Sequence, residues 1–256
     1  MVKGVIFDMD GTMFDTERLL TIAWHKAAGE MGVTISTELM DACRGKSTQA
    51  IGGLLRAEFG EDFDYDRICM FKNKIYHEII EKDGVPLKKG LKELLEFLKE
   101  QKIPAAVATS TGKNSAEMVL RKAGVYDVLS AHMYGDMLKA SKPEPDIFLE
   151  AAKKIGQEPK ECLVIEDSIS GILAGKAAGG YVIYIPDVMK VPEEVKEGIT
   201  AELPDLSNVQ LTDSTEIIRS QMCVCRYVPC DRMDQRRKQE VILDVRSRNS
   251  KVTGNH

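Results

Sequence analysis

Two carboxylates two residues apart, Asp8 and Asp10 in the segment FDMDGT, directly follow the first apolar run of the chain, Val5-Ile6-Phe7. On an extended backbone residues i and i+2 share a face, so both acids enter one pocket unless the chain turns between them. Such a pair repels unless a cation screens it or one member keeps its proton. As chemistry, Asp8 suits nucleophilic attack and a hard metal such as Mg²⁺, and Asp10 suits proton transfer. The competing reading is a surface turn with two solvated acids; the position directly after an apolar strand favours the first.

Three more segments set polar residues just after apolar runs, where an open α/β sheet has its binding crevice. In VATST, Thr109, Ser110 and Thr111 follow Ala105 to Ala108, and Gly112 opens a helix. Hydroxyls and free backbone N–H groups at a helix start suit a phosphate, although an ordinary N-cap looks the same. In SKPEPDIF, Lys142 lies between Ser141 and Pro143. It is either a solvated lysine near a helix start or an ammonium that neutralises both Asp8 and a phosphoryl oxygen. In VIEDSISG, Glu166 and Asp167 follow Leu163-Val164-Ile165. They complete an oxygen shell for Mg²⁺, or Asp167 caps the helix from Ser168. Each segment alone is ordinary. Together, a nucleophilic carboxylate, a metal-binding carboxylate, a hydroxyl and a lysine at separate strand ends are the parts that phosphoryl transfer to aspartate requires. Asp8, Thr109, Ser110 and Lys142 are then the expected phosphate contacts.

The elements that must carry these residues alternate. Short β-branched apolar runs at Val5 to Phe7, Ala105 to Ala108, Ala131 to Tyr134, Leu163 to Ile165 and Tyr181 to Ile185 read as buried strands. Between them Leu91, Leu94, Leu95 and Leu98, and Phe148, Ala151, Ala152 and Ile155, follow helical spacing. Strand alternating with helix predicts an α/β fold: a doubly wound parallel sheet with a Rossmann-like core. From about Thr16 to Asp83 only helical patterns occur: Leu20, Trp24, Ala27, Ala28 and Met31, then Ile68, Phe71, Ile75 and Ile79. This predicts an inserted all-helical cap over residues 16–83, joined by crossings near Phe14 to Thr16 and Asp83 to Leu87, with the catalytic core formed by 1–15 and 84–220. Trp24 and the methionines read as packing.

Composition narrows the class. The chain has 256 residues, 43% of them hydrophobic and 29% charged, which suits a globular protein with a real core and excludes wholesale disorder. Forty acidic against 35 basic residues give a net charge of −5, so no nucleic-acid partner is expected. No apolar run reaches the roughly 18 residues that span a bilayer, and Asp8 and Asp10 sit where a secretory signal would be apolar, so no membrane partner and a cytoplasmic location are expected. The segment 221–256 differs, with eight Lys or Arg against four Asp or Glu and no sustained period; it reads as a basic appendix, disordered and dispensable for catalysis. Its Cys223, Cys225 and Cys230, with His256, lack the paired Cys-x-x-Cys spacing of a zinc site.

In this order the four segments resemble the haloacid dehalogenase-like superfamily of phosphotransferases, in the branch with a helical cap after the first motif that includes β-phosphoglucomutase-like phosphatases. The likeness spans roughly residues 1 to 219. It implies that Asp8 forms an aspartyl-phosphate, that Asp10 acts as general acid and then base, and that Thr109 and Lys142 hold the phosphoryl oxygens. Mg²⁺ would be bound by Asp8, the backbone carbonyl of Asp10 and Asp167, with Glu166 nearby. The implied activity is Mg²⁺-dependent hydrolysis of a small phosphorylated metabolite, of sugar phosphate or nucleoside monophosphate type, by a monomer. The alternative is a sugar-phosphate mutase, but mutases of this branch carry a histidine in the first cap helix where this chain has Leu20, with His25 five residues on. Arg44-Gly45-Lys46 resembles the cap loop that reaches the substrate, so Arg44 and Lys46 are expected to contact a polar or anionic group.

Overall fold

The structure, a computed structural model, describes residues 2–44, 46, 48–212 and 241–244. Strands β1 (Gly4–Phe7), β2 (Ala105–Ala108), β3 (Ala131–Met133), β4 (Cys162–Glu166), β5 (Tyr181–Tyr184) and β6 (Ala201–Glu202) form one sheet in the order β3-β2-β1-β4-β5-β6. Every pairing in it is parallel. Helices α1 (Glu17–Glu30), α2 (Thr37–Cys43), α3 (Thr48–Phe59), α4 (Tyr65–Asp83) and α5 (Leu91–Glu100) lie between β1 and β2. Then α6 (Lys113–Lys122) follows β2, α7 (Asp146–Lys154) follows β3 and α8 (Ile169–Ala177) follows β4.

All residues of β1, β2 and β4 are buried, which explains their unbroken apolar runs. Successive side chains point to opposite faces. Val5, Phe7, Val107, Leu163 and Ile165 pack with α5 and α6 on one side. Ile6, Ala106, Ala108 and Val164 pack with α7 and α8 on the other. The predicted α5 stripe of Leu91, Leu94, Leu95 and Leu98 is buried in full.

Helices α1 to α4 enclose a cluster of their own, including Trp24, Ala27, Ile35, Met40, Leu55, Tyr65 and Ile68. Of the expected α4 stripe Ile68 is fully buried and Phe71 and Ile75 pack half-buried against the clusters, while Tyr65, Tyr76 and Ile80 join Ile68 as the fully buried positions because α4 packs chiefly against α1. Ala23, Tyr76 and Ile80 join the sheet's cluster and so weld the base of this helical segment to the core. The two crossings pair with each other. Phe14 bridges Leu87 antiparallel, the Asp15 amide donates to the Pro86 carbonyl at 2.9 Å and the Lys88 amide to the Met13 carbonyl at 2.9 Å.

Strand order reverses beside β1, since β2 and β3 lie to one side and β4 to β6 to the other. The crevice therefore opens at the carboxyl ends of β1, β2 and β4. Phe7 is level with Val107 and with Ile165, so Asp8, Ala108 and Glu166 emerge side by side.

Most of the 221–256 segment, with its three cysteines and His256, lies outside the described residues. Within it Val241–Asp244 forms β8, paired in parallel with β7 (Val209–Thr212), where no strand was expected; the apolar run Val241-Ile242-Leu243 is the signal that was passed over. Among the described residues no helix is long and apolar enough to cross a membrane.

Candidate functional site

Lys142 is the hub. It lies on the loop between β3 and α7, and its side chain is only 3% exposed, so the solvated reading is wrong. Its ammonium donates to Asp8 Oδ1 at 2.5 Å, to Glu166 Oε1 at 2.7 Å and to the Ala108 carbonyl at 3.0 Å. Three acceptors match its three donors. Burial works against its charge, but Asp8 and Glu166 outweigh burial and raise its pKa above the usual lysine value. Burial, only partly offset by Lys142 and reinforced by Glu166, raises the Asp8 carboxyl well above the ordinary carboxylate range. Asp167 is raised likewise, first by burial and then by Glu166 and Asp8.

Both oxygens of Glu166 are engaged. Besides Lys142 it accepts from the Asp167 and Ser168 amides, each at 2.9 Å, and from the Ser168 hydroxyl at 3.0 Å. Room for its carboxylate exists because residue 171 is glycine; a Cβ there would collide with it. Ser168, not Asp167, caps α8, accepting from the Gly171 amide at 3.0 Å. Asp167 Oδ1 instead accepts from the Thr12 hydroxyl at 3.0 Å. The chain turns sharply after Asp10 through Gly11 at φ 91°, whose bare Cα abuts the Asp167 carboxylate.

Carboxylate oxygens of Asp8, Glu166 and Asp167 lie within 4.8 Å of one another. If all are ionised, Lys142 leaves two negative charges in a buried space, and Asp8 Oδ2 and Asp167 Oδ2 remain as hard oxygen donors. That donor set fits a divalent cation such as Mg²⁺. The Asp10 carboxylate is not part of this group. It turns to Thr16, whose hydroxyl donates to Oδ1 at 2.6 Å, and to Thr111, whose hydroxyl donates to Oδ2 at 2.7 Å.

Thr109 is buried and accepts from the Thr111 amide at 3.0 Å through Oγ1, which leaves its own proton to donate. Ser110 stands half-buried beside it. The expected open helix start is closed at its first amide: Lys113 N–H donates to the Asp136 carboxylate at 3.0 Å. On this side the hydroxyls of Thr109 and Ser110 face the cavity, while the first amide of α6 is taken.

Asp8, Asp10, Thr109, Ser110, Lys142 and Asp167 line one cavity of about 370 Å³ between the sheet and the helical segment. Arg44 and Lys46 also line it, but Arg44 is already engaged. Its guanidinium donates to Glu17 Oε2 at 3.1 Å, the Thr21 hydroxyl at 3.0 Å and Asp41 Oδ1 at 3.1 Å. The Arg44 charge is thus already partnered, whereas the exposed Lys46 has no carboxylate partner among the described residues. Leu20 faces the cavity, whereas the exposed His25 is not among its walls.

Sequence reasoning passed over three wall residues. Lys72 lies with its ammonium over the Trp24 ring at 5.4 Å, has no carboxylate partner among the described residues, and is lowered in pKa by burial. Four residues on, the Tyr76 hydroxyl is buried beside the Thr16 side chain. Glu17, the first residue of α1, is pushed up to about 7 by burial and then by Asp10, against the opposing pull of Arg44. A lysine at i+4 from Ile68, on the stripe that continues to Tyr76 and Ile80, was the available signal.

The family model for haloacid dehalogenase-like hydrolases matches residues 2–179. A phosphorylated carbohydrates phosphatase of Thermotoga maritima is 31% identical over 188 residues, covering 72% of this chain and 84% of its own. A beta-phosphoglucomutase of Bacillus subtilis is 30% identical over 191 residues, covering 71% of this chain and 82% of its own. The crystal structure of CbbY from Rhodobacter sphaeroides in complex with phosphate matches with a TM-score of 0.73 at 25% identity, over 81% of this chain and 96% of that one.

Proposed function

This chain belongs to the haloacid dehalogenase-like hydrolases and is a phosphoric monoester hydrolase, and from that premise we propose that it hydrolyses a small sugar- or polyol-type phosphate monoester through an aspartyl-phosphate on Asp8. The observation that carries this reading is the buried ammonium of Lys142 against Asp8, on the cavity that also holds Thr109 and Asp10.

One carboxylate oxygen of Asp8 attacks phosphorus in line. The O–P bond to Asp8 forms as the bond to the leaving oxygen breaks, and Asp10 gives that oxygen its proton. Asp10 then takes a proton from water as the water oxygen displaces Asp8, releasing phosphate. Thr109 and Ser110 donate to the phosphoryl oxygens, and the Lys142 ammonium, its three donors engaged by Asp8, Glu166 and the Ala108 carbonyl, offsets their charge. Mg²⁺, held by Asp8, Asp167 and the Asp10 backbone carbonyl with Glu166 behind, would screen the repulsion between carboxylate and phosphate.

In this reading residues 16–83 are a mobile cap on a core of 1–15 and 84–220, with 221–256 a dispensable tail. Closure about the paired crossings at 13–15 and 86–88 excludes water from the first step. The free thiols of Cys43, Cys69 and Cys162 suit a reducing cytoplasm. Leu20 on the cavity wall supplies no proton-transfer group of the kind a mutase needs, which favours hydrolysis. Asp8→Asn should abolish phosphate release while circular dichroism and melting stay those of a folded protein; undiminished release by that variant refutes the assignment. With β-glucose 1-phosphate, inorganic phosphate as product supports the hydrolase and an isomerised hexose phosphate the mutase.

A further inference from the structure

Among the described residues that wall the cavity from the sheet side, Val188 and Met189 alone have apolar side chains. They stand on the segment that follows β5, where no amide of residues 187–190 is hydrogen-bonded to another backbone group among the described residues. Backbone outside any ladder keeps its place through side-chain tethers. Two are present. The Tyr184 hydroxyl, at the end of β5, donates to the Met189 carbonyl at 3.3 Å. The Lys88 ammonium donates to Asp187 Oδ1 at 2.5 Å, and the two side chains are 17% and 2% exposed.

The first tether belongs to the sheet. The second reaches the crossing at 86–88, where the Lys88 amide donates to the Met13 carbonyl at 2.9 Å. Met13 directly follows Thr12, whose hydroxyl donates to Asp167. Lys88 therefore joins the crossing, the turn after Asp10 and the cavity wall. Asp187 Oδ2 is buried and accepts no hydrogen bond among the described residues, so one lysine fixes this carboxylate. An ion pair this enclosed is screened little by salt. We propose that Asp187 is a positioning residue: held by Lys88, it presents Val188 and Met189 to the carbon skeleton of the leaving group. The inference rests on the phosphatase reading above and adds a determinant of leaving-group binding remote from the reacting atoms.

The test measures kcat and KM, with Mg²⁺, on the best substrate from a panel of sugar and polyol monophosphates. It also measures inhibition by inorganic phosphate, which needs only the sheet end of the cavity. Each methylene kept from water is worth about fourfold in affinity, so losing contact with one or two should raise KM about 4–15-fold. Asp187→Ala and Lys88→Met should each do this, with kcat and phosphate inhibition within about twofold of the wild type. The double variant should be no worse than the poorer single one, because both break the same contact. Lys88→Arg, which keeps the ion pair, should restore a KM near that of the wild type. Met189→Ala should raise KM alike, and Asp187→Ala should add little to it. If Asp187→Ala does not fold, Asp187→Asn, which keeps the shape but not the charge, takes its place in each comparison. An unchanged KM in Met189→Ala or in the folded Asp187 variant overturns the proposal. So do losses that multiply in the double variants, or that appear equally in phosphate inhibition, and these outcomes leave the phosphatase reading standing. A wild type that releases phosphate from no ester refutes that reading, and the inference with it.

Discussion

Replacing Lys142 by methionine preserves most of its volume and removes the ammonium, leaving Asp8 Oδ1, Glu166 Oε1 and the Ala108 carbonyl without their shared donor. Water cannot take its place readily, since the Glu166 side chain is 0% exposed and that of Asp8 11%. Removing one partner of a buried ion pair costs about 3–5 kcal/mol. At about 2–4 °C per kcal/mol for a protein of this size, melting at pH 8 without divalent ions should fall by roughly 6–20 °C. The sign of the pH dependence follows from Asp8, whose carboxyl is already raised by burial and loses the lysine that opposes it. A raised folded-state pKa gives stability that is present at low pH and lost as pH rises, so the deficit should shrink toward pH 5. Millimolar Mg²⁺ should return more stability to the variant than to the wild type, because the bound ion replaces the missing positive charge. Calorimetry at both pH values, with and without Mg²⁺, reads all three effects. A variant melting within about 1 °C of the wild type at pH 8 without metal would refute the charge-bridge argument.

Gly171→Ala should gain helix propensity in α8 yet lose about 1–3 kcal/mol in guanidinium unfolding, because the new Cβ displaces the Glu166 carboxylate. Thr12→Val removes the hydroxyl that orients Asp167 and should weaken Mg²⁺ affinity at least about tenfold in a turnover titration. Glu17 has its pKa raised from 4.5 to about 7, so its contribution to stability falls as pH climbs through that window; Glu17→Gln should flatten the wild-type slope of unfolding free energy between pH 5 and 8.

The sheet was legible because buried parallel strands read as unbroken apolar runs, and four strand ends carried polar residues too specific to ignore. Each motif misled on its own for a local reason. Lys142 looks like any lysine near a helix start, and only the register of β1 against β4 reveals that Asp8 and Glu166 meet around it. Arg44 looks like a free cation until Glu17 and Asp41, from two different helices, are seen to engage it. Lys72 and Tyr76 were hidden because their helix was read by its most apolar stripe, and α4 buries Tyr65 and Tyr76 as well. Residue types and strand ends can be read along the chain; which charges cancel depends on contacts between elements distant in sequence.

That cancellation fixes how a substrate must enter. At the sheet end, three carboxylates and one ammonium leave an excess of negative charge, so a phosphoryl dianion is repelled unless a divalent cation accompanies it. At the far end Arg44 is spent on Glu17 and Asp41, whereas Lys72 and Lys46, on the same cavity, have no carboxylate partner among the described residues. In the proposed reaction the phosphoryl group therefore gains at the sheet only where a cation accompanies it to Lys142 and Thr109, and the leaving group takes the mixed end. Asp10, which lines the cavity with both sets of residues, would then stand beside the ester oxygen that has to receive its proton.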